Sequence, residues 1–144
     1  DRMNSPPFSN DVDAAASPSP EARRPFVLAA IGAGLASLYW AGLTALIAFA
    51  VAVGPLKGTE LILPFVLIGL YAWRGSQILK GDPNAARSVL YLHVFGGLTA
   101  VFQIVTGGPL MWVLQGIKLV IHIFGSITAH QASKAPRLST APLF

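Results

Sequence analysis

Two histidines, two glutamines and a lysine stand inside otherwise apolar stretches of this chain, and their spacing is the first sign of chemistry. Gln115, Lys118, His122 and Ser126 follow one another at steps of 3, 4 and 4, which places them on one face of a helix. His93, Gly96, Gly97, Ala100 and Gln103 form a comparable face on the preceding apolar stretch, small in the middle and polar at both ends. The two stretches fold back about Gly107 and Gly108, so residues whose numbers sum to 215 share a depth, as His93 and His122 do. Each lies about 14 residues, roughly 20 Å, from the turn at 1.5 Å of rise per residue. By the same arithmetic Gly97 is level with Lys118 and leaves room for its long side chain.

Three kinds of chemistry suit this set. Haem b held by His93 and His122 needs two neutral imidazoles at matched depth on facing helices. Helices in contact lie only about 8–10 Å apart, which crowds iron and a porphyrin between two rings. Either the hairpin splays or each histidine pairs with one from a second copy. A zinc site is half empty without Cys, Asp or Glu beside the histidines. The second possibility is a transport path in which Lys118, His93, His122 and the glutamines relay protons or accept an anion or neutral solute. All six carboxylates, Asp1, Asp11, Asp13, Glu21, Glu60 and Asp82, lie outside or at the margins of the apolar stretches, so no acid is placed to carry a cation. In the third reading the polar groups are structural. Lys118 bonds Gln115 and carbonyls, and His and Gln bond across the hairpin for about 0.5–2 kcal/mol each. No nucleophile has a base beside it, no glycine-rich element cradles phosphate and no acidic metal motif exists. The residues therefore support no enzyme and require no cofactor or metal.

The meaning of these side chains depends on the solvent around them. Four apolar stretches, 25–54, 61–79, 85–106 and 109–130, fill nearly all of the chain after residue 25. Each approaches the roughly 20 helical residues that cross a bilayer. Hydrophobic residues make up 53% of the sequence and charged residues 11%, against roughly 25% charged in soluble domains. The expected fold is an all-α polytopic membrane protein of four antiparallel transmembrane helices in two hairpins, forming one bundle over 25–131. In such a solvent an ionisable group is costly and needs a partner.

The net charge of +4 is placed by orientation. Arg23 and Arg24 precede the first span, Arg74, Lys80 and Arg87 flank the second connection, and Lys134 and Arg137 follow the fourth span. Only Lys57 occupies the first connection, and the third has no charge. This positive-inside pattern puts both termini and the middle loop in the cytoplasm. Arg74, Lys80 and Arg87 are candidate contacts for lipid headgroups in that belt. It argues for the lipid bilayer as partner and against nucleic acid. Arg23-Arg24 resembles a twin-arginine signal only superficially, because the apolar run behind it is far too long.

Residues 1–24, rich in Pro, Ser and Asn, read as a disordered cytoplasmic tail, and 132–144 as a short cytoplasmic C-terminal tail. Gly54-Pro55, Gly81 and Gly107-Gly108 close the helices. Thr59 is the expected cap of the second span, and Asp82-Pro83 the N-cap and first position of the third. Connections this short make consecutive spans neighbours. Gly42-Leu43-Thr44-Ala45 and Gly97-Leu98-Thr99-Ala100 recur, each ahead of a Gly-Pro-Leu turn, as two copies of a helical hairpin would. Gly34, Ser37, Ala41, Ala45 and Ala48 form a stripe of small residues on the first span, suited to close packing within or between chains. The sequence thus points first to a non-catalytic accessory, assembly or stabilising subunit of a larger membrane complex, or one that self-associates. A small oligomeric transporter or channel comes second and a haem-binding redox subunit third. The small size and dense helix punctuation suggest a bacterial cytoplasmic membrane.

Overall fold

The computed structural model describes residues 18–54 and 56–138, and within them it contains four helices: α1 (Pro20–Ala52), α2 (Ile62–Leu79), α3 (Pro83–Thr106) and α4 (Pro109–Lys134). A 3₁₀ turn, Gly58–Leu61, leads into α2. All four helices, α2 together with its 3₁₀ turn, are long and apolar enough to cross a membrane. Large apolar side chains face outward on every helix, among them Phe49, Phe65, Phe102 and Val120. Water does not tolerate so broad an apolar surface, and the molecule is consistent with an integral membrane protein.

Most helix ends are set by the residues that sequence reasoning singles out. Asp82 caps α3 by accepting the Asn84 N–H at 3.0 Å, with Pro83 in the first helical position. Gly81 ends α2 in the left-handed region, φ +78°. The Gly81 N–H reaches the Ile78 carbonyl at 2.8 Å and the Asp82 N–H reaches that of Gln77 at 3.3 Å, the paired bonds of a glycine-terminated helix. Thr59 does not cap α2. It lies within the 3₁₀ turn, and Leu61, which cannot cap with its side chain, occupies that position.

Two helices extend beyond their expected limits. Residues 20–24, expected in the tail, are the first turn of α1, because Ser19 Oγ accepts the Ala22 N–H at 3.3 Å and Pro20 needs no donor there. At 33 residues α1 is about 50 Å long, more than the hydrocarbon thickness. The fourth helix runs on from residue 130 to Lys134. After it Leu138 is buried against Gly81 and donates its N–H to the Gly81 carbonyl at 3.4 Å, so that part of the expected C-terminal tail is packed. Residues 1–17 and 139–144 of the two expected tails lie outside the described residues.

Each helix packs against two main neighbours in a closed ring, α1 on α2 and α4, and α3 on α2 and α4, with the α2–α3 contact the smallest of these four. Small residues set the closest approaches. A Cβ on Gly32 of α1 would lie 3.0 Å from the Gly125 Cα of α4, and one on Gly75 of α2 would lie 3.4 Å from the Ala33 Cβ. Ala29, Ala33, Ala36, Ala85, Ala86, Ala129 and Ala132 fill this half of the bundle together with Phe26, Tyr71, Ile78 and Val89. In the half nearer Gly107 the buried side chains are fewer and more polar, and cavities open between the helices.

Candidate functional site

Apart from Thr44 of α1, the buried polar side chains among the described residues come from α3 and α4. His93, Gln115, Lys118 and His122 are buried and Gln103 is half-buried. Their helices turn these faces inward because lipid would penalise them.

His93 and His122 meet directly, their Nδ1 atoms 3.0 Å apart and their rings inclined at 65°. A hydrogen bond between two imidazole nitrogens requires one ring to donate and the other to accept. In the neutral pair, therefore, one histidine carries its proton on Nδ1 and the other on Nε2. Both Nε2 atoms are buried with no hydrogen-bond partner. One is then an N–H without an acceptor and the other a bare lone pair, the arrangement of a group able to pass a proton along its ring-to-ring bond. Tyr71 of α2 stacks obliquely on both, its ring centroid 5.1 Å from His93 and 6.4 Å from His122.

Glycine makes this meeting possible. The Cε1–Nε2 edge of His122 lies where a Cβ of Gly96 would be, and the same edge of His93 lies where a Cβ of Gly125 would be. Each histidine thus presses on the glycine three residues after its partner. The sequence carries the matching signal twice, as His93-Val94-Phe95-Gly96 and His122-Ile123-Phe124-Gly125. Sequence reasoning finds the two histidines and misses this repeat, which names both glycines.

Lys118 is placed differently from expectation. Gly97 does not make room for it, since the nearest atoms to a Cβ there would be His122 Cβ and Leu119 Cδ1. Equal depth does not fix which way a face turns. Lys118 instead donates from Nζ to Thr99 Oγ1 at 3.1 Å, and its Nζ lies 5.3 Å from the centroid of the Trp40 ring. That distance permits a cation–π attraction, which gives mid-span Trp40 a role. Thr99 also donates to the Gly96 carbonyl at 2.8 Å.

Two cavities meet at Lys118. One of about 200 Å³ reaches toward Tyr71 and His122 between Leu67 and Phe95. The other, of about 320 Å³, reaches past Gln115 to Thr59 and Glu60 at the exposed first connection. Trp40, Leu63, Gln103 and Lys118 line both. The Oε1 atoms of Gln103 and Gln115 are buried without partners.

The three basic candidates stand apart from this interior. Arg74 lies over the Trp73 ring at 4.3 Å and donates to Gln77 Oε1 at 2.9 Å, while Lys80 and Arg87 are exposed. Among the described residues no three His, Asp or Glu side chains are grouped to hold a metal ion. Compared with protein-family models, curated proteins and solved structures, the chain matches none.

Proposed function

We propose that this chain is a non-catalytic subunit of a larger membrane complex, holding or stabilising other membrane chains through the outer face of α1. One observation carries this reading. Four of the five residues of the small-residue stripe, Gly34, Ala41, Ala45 and Ala48, are exposed, and a Cβ on Gly34 or on nearby Gly42 would meet nothing within 4 Å; Ser37 alone turns into the bundle, donating to the Ile68 carbonyl of α2 at 3.4 Å. The bundle's own contacts use a different face, through Ala29, Gly32, Ala33 and Ala36. A smooth, small-residue surface facing lipid lets another helix approach closely, and van der Waals contact drives helix association where the hydrophobic effect is absent.

In this proposal the four helices form two antiparallel hairpins with both termini in the cytoplasm of a bacterial cell. Contacts such as Ala33 with Gly75, and His93 with His122, support the antiparallel pairing. A second reading, a small transporter of an anion or neutral solute, is favoured by the two cavities that meet at Lys118. A third reading, haem b held by His93 and His122, requires the two rings to part, since their Nδ1 atoms are 3.0 Å apart, or each histidine to pair with one from a second copy.

Photocrosslinking in intact membranes tests the assignment. A photoreactive side chain at Gly34 or Ala41 is expected to yield one discrete adduct with another membrane chain, and the same probe at Phe102 or Val120 only lipid adducts. Equal protein adducts from all four positions, or lipid adducts alone, would overturn it.

A further inference from the structure

Lys118 carries its amino group into the bundle while only 4% exposed, and among the described residues no carboxylate pairs with it. Among the described residues the one ion pair is Arg137 with Asp82 at 3.4 Å, near the opposite end of α4. An ammonium group has three donors. Thr99 Oγ1 accepts one, and the Trp40 ring offers its face but no lone pair. A buried charge left so sparsely paired is costly, and the space beside it is open.

That space is lined in a particular way. Gln115 is 5% exposed, and its Oε1, like that of Gln103, has no partner. An amide turned by 180° exchanges its oxygen for its NH₂, so each glutamine can offer either group to whatever enters. The other walls are mostly apolar: Trp40 and Leu63 line both cavities, and Leu67, Leu92 and Phe95 line the smaller one together with Tyr71, Thr99 and His122.

We propose that Lys118, Gln103 and Gln115 form a binding site for a small organic monoanion, a carboxylate on a flat apolar body. The carboxylate takes the free Lys118 donors and a glutamine amide, and the body lies against Trp40 and Leu63. The ligand carries a single charge because a dianion such as phosphate would bring a second negative charge with no cation to meet it. It is organic because an inorganic ion would leave the apolar walls uncovered. Small-ligand sites combine mostly apolar walls with a few placed polar groups in this way, in cavities of roughly 300–1,000 Å³, and the larger cavity is about 320 Å³. Its Thr59–Glu60 rim is the way in, and the Glu60 carboxylate there opposes anion entry. This site lies inside the bundle and the α1 stripe outside it, so either assignment can fail without the other.

The test uses the full chain in lipid nanodiscs with Trp73→Phe and Trp112→Phe, which leaves Trp40 as the sole tryptophan. Benzoate, benzamide and benzamidinium share a shape and differ in charge. Benzoate is expected to change Trp40 emission saturably, with benzamide at least about tenfold weaker, worth about 1.4 kcal/mol, and benzamidinium silent. Lys118→Met removes a costly buried charge, so its helicity is retained while benzoate binding is lost. Lys118→Arg keeps binding. Equal affinity for benzoate and benzamide, undiminished binding by Lys118→Met, or no saturable response of the wild-type site would each overturn the proposal. Binding that appears only after Glu60→Gln would overturn it too, by making Glu60 the partner of Lys118.

Discussion

At the scale of single residues, the histidine pair depends on what is absent opposite each ring. A methyl group on Gly125 would occupy the space of the His93 ring edge, and overpacking of a tight interior costs about 1–3 kcal/mol. Gly125→Ala is therefore expected to lower the thermal midpoint of the detergent-solubilised protein, followed by circular dichroism. Gly125→Ala should cost less in a His93→Ala background than in the wild type, because the two changes share one contact and are not additive. Equal losses in the two backgrounds would sink this account. Sequence alone shows the histidines' shared depth, since counting from a tight turn fixes height along a hairpin. It does not show that Lys118 turns to Thr99, because height says nothing of rotation about the helix axis. The twin His-x-x-Gly patterns were legible and carry both glycines.

The same logic governs the elements, where ends are more readable than faces. Asp82-Pro83 and Gly81 declare the α2–α3 turn because each residue type meets a need of the backbone itself: a missing donor, a free N–H and a positive φ. Thr59 misleads because threonine also suits the first turn of a 3₁₀ segment. The extension of α1 to Pro20 rests on the Ser19 hydroxyl, a strong cap concealed in a proline-rich run that otherwise suggests disorder. The packing of Leu138 on Gly81 was not legible, since a lone leucine in a polar tail carries no period. Gly81→Ala combines both kinds of information. The left-handed backbone alone costs roughly 1–2 kcal/mol for a residue with a Cβ, and that Cβ would also overlap the Leu138 side chain. Unfolding in detergent should show a larger loss for Gly81→Ala in the wild type than in a Leu138→Ala background. Equal losses would mean that Leu138 does not press on the turn.

At the scale of the whole molecule, charge and packing divide the bundle into unlike halves. Alanine contacts draw the helices together at the end that carries Arg23, Arg24, Arg74, Lys80, Arg87, Lys134 and Arg137. Toward Gly107 the interior holds glutamines, Lys118 and cavities, and Lys57 alone carries a positive charge on the connections. The proposed orientation rests on that imbalance, because basic flanks resist translocation. In that proposal the tight end is cytoplasmic and the cavity rim at Thr59 and Glu60 faces outward. The chain contains no cysteine, so single introduced thiols report without background. Asn84→Cys and Gln131→Cys lie at the basic end on exposed positions, and Gly58→Cys and Gly108→Cys lie at the other. A membrane-impermeant maleimide applied to intact cells is expected to label Gly58→Cys and Gly108→Cys. Asn84→Cys and Gln131→Cys should react only after permeabilisation. Labelling of Asn84→Cys and Gly108→Cys from one side would mean that α3 does not cross the bilayer. Reaction of the basic pair alone in intact cells would keep the four crossings and invert them, turning the mouth of the Lys118 cavity to the cytoplasm.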